Sequence, residues 1–489
     1  MKTLKLITST LLASALVACG GGGGGGVSTP PPDDNNPPTA GIGRTGIAMG
    51  PIANFGSIIV NGVRYDTGSA TFTVNDSPGT QADLKVGQVV VVSGTIDNNG
   101  TTGTAQTVFF DDNVKGPVQS IDSASNQMVV MGQTVLISAD TSFDDSISPP
   151  SLAGLAVDDI VEVSGLVNAD GAIAATRIEL KPAGTQFEVH GIVSLHDAAN
   201  MRFNINALVV DYSGATLDNF PGGQISDGDP VEAKGMMLGG AGELVATQVE
   251  LENPLAAGED GDRIEIEGFI TRFASATDFD VSGLPVTTNA ATVYEGGDAG
   301  DLGLNIKVEV EGDLNASGVL VAEKVDIRRA KAVRATALLD SVDAANDSVV
   351  LLGITVRVDA LTRIEDKSSA DVDPLTVSDL SAGDYVEVRG DEFPAGSGEI
   401  LATIFEREDT DPDTELQGFV ESVSNPSLSI LGVTIETNGG TVFRDANDNV
   451  ISSAEFFGQL GVNDLVKATG TESADTVISA SEVEFELEF

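Results

Sequence analysis

The sequence predicts an all-β protein: six tandem five-stranded units behind an N-terminal tether. Two observations carry that prediction. A strand motif closed by glycine recurs at a nearly fixed spacing, and in most copies the residues of that strand alternate apolar and polar. The motif reads "GQVVVVSG" to Gly94, "DDIVEVSG" to Gly165, "GDPVEAKG" to Gly235, "NIKVEVEG" to Gly312, "GDYVEVRG" to Gly390 and "NDLVKATG" to Gly470. The intervals are 71, 70, 77, 78 and 80 residues, a period that sets the architecture before any local feature does.

Each unit repeats the same elements in the same order. A first strand opens near a glycine (Gly116, Gly191, Gly268, Gly418), with Thr336 in the corresponding place of the fifth unit. A tight hairpin follows, as in "IIVNGVRY", "MVVMGQTVLI" and "LSILGVTIET". A variable polar stretch then leads into the motif strand. Next comes a turn such as "NADG" or "NASG", which suits a type I turn closed by a glycine bulge. A last strand, "AIAATRIEL" or "VLVAEKVDI", completes the unit. Alternation sets Val308 and Val310 against Lys307, Glu309 and Glu311, and Val386 and Val388 against Tyr385, Glu387 and Arg389. The apolar half reads as core and the charged half as a solvated face. Pro230 inside the third motif strand suggests an edge position.

Five strands in about 70 residues, with a variable connection after the third, match the partly open barrel called the OB-fold. "PPSLAGLAVDD" and "PLTVSDLSAGD" fall at that connection and suit a short helical turn. An immunoglobulin-like sandwich needs about 100 residues, whereas propeller repeats run nearer 40–50. The units are assigned to 45–114, 115–185, 186–258, 259–332, 333–412 and 413–489. Joined by short acidic linkers, such like-charged neighbours are expected to splay into a string of small OB-like barrels.

The N-terminus has its own logic. Lys2 and Lys5 precede the apolar run Leu6 to Val17 and the small Ala18, the three parts of a secretory signal over residues 1–18. That run is too short to span a bilayer, which takes roughly 20 apolar residues. Leu16-Val17-Ala18-Cys19 resembles the lipobox of bacterial lipoproteins. The resemblance implies cleavage before Cys19 and its acylation, and Gly20 in place of an Asp implies the outer membrane, on its periplasmic or its surface-exposed face. An ordinary signal cut elsewhere, with Cys19 an incidental thiol, is the alternative. As the single cysteine, Cys19 has no disulfide partner within the chain. Residues 19–44, rich in Gly and Pro, read as a disordered tether reaching roughly 25 Å.

A lipobox followed by such repeats resembles a bacterial family known as domain of unknown function 5666. The resemblance covers residues 45–489 and is weakest in the third unit, where "INALVV" lacks the hairpin glycine. That family has no assigned chemistry, so the resemblance implies a fold and a location but no activity.

Charge and composition bound the function. Against 74 Asp and Glu stand 25 Lys and Arg, a net charge of −49, which repels phosphate backbones and argues against a nucleic-acid partner. The two histidines, His190 and His196, fall in the third unit. His190 shares parity with Glu188, opposite Phe187 and Val189, and so reads as solvent-facing; His196 sits at the strand's end beside Asp197. Neither is assigned a catalytic or metal role. No Walker loop, nucleophile elbow or HExxH helix occurs. "RDANDNV" (444–450) resembles the start of a calcium loop but lacks its glycine and its closing glutamate. "EREDTDPDTE" (406–415) and "GEDGD" (258–262) read as solvated linkers. With no Trp and four Tyr, the open barrel face lacks the stacking rings that grip glycans or single strands.

The expectation is a non-catalytic, lipid-anchored envelope protein acting as spacer or interaction scaffold, with no cofactor and no metal site. A glycan- or protein-binding OB-like module at the cell surface is the alternative, and a calcium-stiffened surface protein the third.

Overall fold

The computed structural model describes residues 44–486 except 56, 98–99, 139–140, 253–259, 329–332, 395–396, 447–448 and 475. The signal, Cys19 and the tether up to residue 43 lie outside the described residues.

The fold is all-β, and its unit is a closed circuit of five strands. In the second repeat the strands are Val114–Asp122, Gln127–Val130, Gln133–Leu136, Ile160–Val167 and Ile173–Leu180. The first pairs antiparallel with the second and the second with the third. The third runs parallel to the fifth, the fifth pairs with the fourth, and the fourth returns to the first. The strand order is therefore 1-2-3-5-4-1, with apolar side chains inside and no open edge. The same circuit recurs in the first and third repeats. It recurs again in the fourth, fifth and sixth.

The variable connection holds a short extra strand laid parallel to the fifth, such as Ser142–Phe143 or Arg363–Asp366. The helical turns expected there are present as Leu152–Gly154 and Val377–Asp379. In the sixth repeat an α-helix, Ser453–Gln459, takes that place, capped by the Ser452 hydroxyl accepting from the Glu455 amide. Its Phe456 is fully buried against Phe443 and Phe485, with ring centroids 5.0 and 4.6 Å away.

Two glycine positions do different work from that expected. The motif glycines do not end their strands: the fourth strand of the fourth repeat continues past Gly312 to Leu314. The register slips between Glu311 and Gly312, a bulge that brings the last strand so close that a Cβ on Gly312 would sit 2.2 Å from the Val321 carbonyl oxygen. The glycine of the first strand lies mid-strand under the hairpin turn. A Cβ on Gly116 would meet Met131 Sδ at 2.0 Å, and one on Gly268 would meet Ser282 Oγ at 2.1 Å. In the fifth repeat this position belongs to Ala337, not Thr336, because Ala337 pairs with Val386 as Gly116 pairs with Val161.

The barrels do not form a string of separate bodies. Residues 42–489 form one compact unit. The circuits join in pairs into three sheets of 13, 12 and 13 strands. First strands make the joins: repeats 2 and 3 pair antiparallel with Lys115 opposite Glu188, and repeats 5 and 6 antiparallel with Ala335 opposite Leu416. Repeats 1 and 4, distant in sequence, pair in parallel from Gly46 opposite Arg263 to Met49 opposite Ile266. The hydrophobic cores of repeats 2 and 3 merge, as do those of 5 and 6. Pro230 is likewise no edge residue, since its strand runs between two others; it is the first residue of that strand, where a missing amide costs no ladder bond.

Candidate functional site

Once barrels pack on barrels, part of the charged half of the strands is covered by neighbours instead of water. Glu162, Glu188, Glu309 and Glu406 are each 5 % exposed, Glu265 2 % and Glu232 1 %. The solvated-face expectation fails at these positions for that reason. A buried carboxylate is costly unless paired, and Lys115, Lys234, Arg328 and Arg389 are drawn to these.

The densest cluster lies where repeats 1, 2 and 3 meet. Lys115 Nζ lies 2.9 Å from Asp112, 2.5 Å from Glu188 and 3.8 Å from Glu162. Burial pulls the Lys115 ammonium down, but Asp112 and Glu188 outweigh it and hold it above the usual range. Burial pushes Asp112 up to about 7 against the attraction of Lys115. Across the same junction Lys234 Nζ lies 2.6 Å from both Glu232 Oε1 and Asp76 Oδ2. His190 Nε2 stands 3.4 Å from Glu232. Burial disfavours the His190 imidazolium, yet Glu232 raises it to about 9. Burial likewise opposes ionisation of Glu232, but His190 and Lys234 hold it down to about 2. His190 is therefore an ion-paired junction residue, contrary to its solvent-facing parity. His196 has a different partner, its Nε2 lying 2.7 Å from the Tyr212 hydroxyl, so the two histidines do not converge on one ligand.

A second cluster joins repeats 2 and 5. Arg177, 3 % exposed, pairs with Glu179 at 2.6 Å and Glu365 at 3.5 Å and donates to the Val86 carbonyl of repeat 1 at 3.1 Å. Lys367 reaches back to the Phe143 carbonyl at 3.0 Å. Glu406, read as the start of a solvated linker, belongs to the buried strand Glu399–Glu408 and pairs with Arg389 at 3.3 Å.

Among the described residues, Asp76, Glu232 and Glu250 bring carboxylate oxygens within 4.8 Å of one another, the spacing of a cation site. The Lys234 ammonium already bridges two of them, so the centre of the group is filled by a cation of the chain itself. In "RDANDNV" the Asp445 carboxylate accepts from the Asn449 amide at 2.9 Å, closing a polar turn. A cleft in the sixth repeat is lined by Asp445, Asn463, Asp464, Leu465, Phe485 and Glu486. Its acids are engaged as well, Asp464 by the Gly461 amide at 2.7 Å and Glu486 by Lys467 at 3.5 Å. The arrangement is that of structural ion pairing.

The link Asp111–Asn113 escaped sequence reasoning. Its one signal was "FDDNVKG", two acids placed between a closing strand and the next first strand.

Five of the six circuits, at residues 49–112, 115–179, 267–326, 338–403 and 417–484, match the family described as Domain of unknown function (DUF5666). The chain belongs to that family. The third DUF5666-like circuit is unmatched, in keeping with its missing hairpin glycine. No curated protein matches the chain. Among solved structures, one described as drosophila Unr CSD456 is 14 % identical, covering 45 % of this chain and 98 % of its own with a TM-score of 0.12. A likeness of that size carries no argument.

Proposed function

We propose that this DUF5666 protein is a non-catalytic, lipid-anchored envelope protein whose repeats act together as one interaction scaffold. The supporting observation is the interlock. Charged strand faces are turned inward to bind repeat to repeat, while solvent meets apolar side chains of the diverged third repeat: Ile192 is 57 % exposed, Leu195 75 %, Met236 55 % and Met237 60 %. Exposed apolar groups of this kind favour a protein partner over a glycan. A spacer built from splayed barrels loses its support, because residues 42–489 are compact. The anchor rests on Leu16 to Cys19, and the outer membrane on Gly20. A net charge of −49 speaks against nucleic acid.

Two measurements test this. Cys19→Ala is expected to abolish acyl labelling and to release the protein from the membrane fraction, since each buried methylene of an acyl chain contributes about 0.8 kcal/mol. A photo-cross-linker at position 237 is expected to capture a discrete envelope protein that the same probe at position 343 does not. Identical capture at both positions defeats the scaffold.

A further inference from the structure

The link Asp111–Asn113 touches three repeats at once. The Asp112 amide donates to Asn75 Oδ1 of repeat 1 at 3.4 Å. Asn113 donates its amide to the Val163 carbonyl of repeat 2 at 2.9 Å, and its Oδ1 accepts from Gly165 at 2.6 Å. Its carbonyl accepts from the His190 amide of repeat 3 at 3.0 Å. Beside these bonds, both carboxylate oxygens of Asp111 and Oδ1 of Asp112 are shut off from solvent with no hydrogen-bond donor.

Asp111 faces His190 from the first strand of repeat 3, Asp76 from repeat 1, Glu232 from the fourth strand of repeat 3, and Glu252 beyond its last strand. His190 is thus the cation set against Asp111, while Lys234 is held between Asp76 and Glu232. Neighbouring Asp112 faces Lys115, Glu162, Glu188 and His190. An ionised Asp111 in this place is a buried anion without a donor, which draws in water or parts the surfaces around it.

We propose that the Asp111–Asn113 link is a proton-dependent clasp, closing repeats 1, 2 and 3 on one another while Asp111 carries its proton and loosening them when it does not. Burial, with Asp76 and Glu232 adding to it against His190, pushes Asp111 up to about 8. An exposed Asp ionises near pH 4. Asp111 alone therefore makes the closed junction bind one proton more than the open one between those values, and its contribution makes opening roughly tenfold more frequent per pH unit from about 4 to 8, added to those of Asp112 and His190, whose protons the closed junction also holds more tightly.

Hydrogen exchange of the Asn113 and His190 amides in the full chain, corrected for intrinsic rates, reads the opening directly. From pH 5 to 8, Asp111→Asn is expected to lose one proton's worth of slope relative to the parent. Should that variant fail to fold, Asp111→Ser serves: it likewise carries no titrating group and should lose the same proton's worth of slope. Slopes equal to the parent's in Asp111→Asn or in Asp111→Ser would overturn the clasp.

Discussion

The ammonium of Lys115 lies 2.5 Å from Glu188 Oε2, and the two residues stand opposite each other where the first strands of repeats 2 and 3 pair. One cation there serves Asp112, Glu162 and Glu188 together. Lys115→Met takes away the ammonium that Asp112 and Glu188 share, while Glu162 keeps Lys181 at 3.1 Å, and breaking a buried pair from one side costs about 3–5 kcal/mol. Chemical denaturation at neutral pH is expected to show that loss. The double variant Lys115→Met, Glu188→Met should recover part of it, since it removes an orphaned charge as well.

The bulge glycines make a sharper steric test. A Cβ on Gly312 points at the Val321 carbonyl oxygen, 2.2 Å away, and backbone on both strands must move to admit it. Gly312→Ala is expected to cost about 2–3 kcal/mol, the upper part of the overpacking range. Gly240→Ala, in a turn with nothing within 4 Å, is the control and should fall within about 0.5 kcal/mol of the parent. Equal losses at the two sites would remove the close-approach explanation.

Glu265 sets a pH dependence at the junction of repeats 1 and 4. It is 2 % exposed, its Oε2 has no hydrogen-bond partner, and burial followed by Glu311 and Glu309 pushes its carboxyl up to about 8. A carboxyl raised in the folded state stabilises below its unfolded pKa, and that contribution is lost as pH rises through the folded value. Stability should therefore fall from about pH 4.5 to 8. Glu265→Gln keeps the shape without the charge and is expected to flatten this limb and to be more stable than the parent at pH 8 by about 1–3 kcal/mol. Melting profiles of both proteins across that window decide it.

Much of the fold was legible because it is local. Alternation identified Val308, Val310, Val386 and Val388 as core, and all four are fully buried. The 70–80-residue period located the repeats. What sequence could not carry was the partner of each outward face. Glu309 and Glu311 alternate with valines in the same way whether they meet water or Arg328 and Arg263. The parallel join of Gly46 to Arg263 spans two intervening repeats, and no local pattern announces it. His190 was misplaced for the same reason: parity tells which side of the barrel a residue is on, not what covers that side.

Lys234 decides whether calcium can bind where repeats 1, 2 and 3 meet. Its ammonium lies between Asp76 and Glu232, within the group that Glu250 completes. Millimolar calcium is expected to leave the parent's melting temperature where a magnesium control leaves it. Lys234→Met vacates the centre, and the three acids should then make stability calcium-dependent through mass action. A shift in the parent would mean that calcium competes with the ammonium, and the ion-paired description of this junction would fail.

Overall dimensions separate a scaffold from a spacer. Independent barrels strung on short linkers, each about 28 Å across, would give residues 42–489 a radius of gyration near 45–50 Å. A single compact chain of that length gives about 22 Å. The structure favours the second regime. Asn61 of repeat 1 donates to the Glu265 carbonyl of repeat 4 at 3.2 Å, Asn54 of repeat 1 to the Leu375 carbonyl of repeat 5 at 3.3 Å, and Asn305 of repeat 4 to Asp170 of repeat 2 at 2.8 Å. These contacts close across the sequence order, so a string cannot form without breaking them together with the ion clusters beneath. Small-angle scattering is expected to return a value of about 22–28 Å, unchanged between low and moderate salt, because buried pairs are screened far less than exposed ones. A value above about 40 Å would return the protein to the splayed string, and with it to the spacer role.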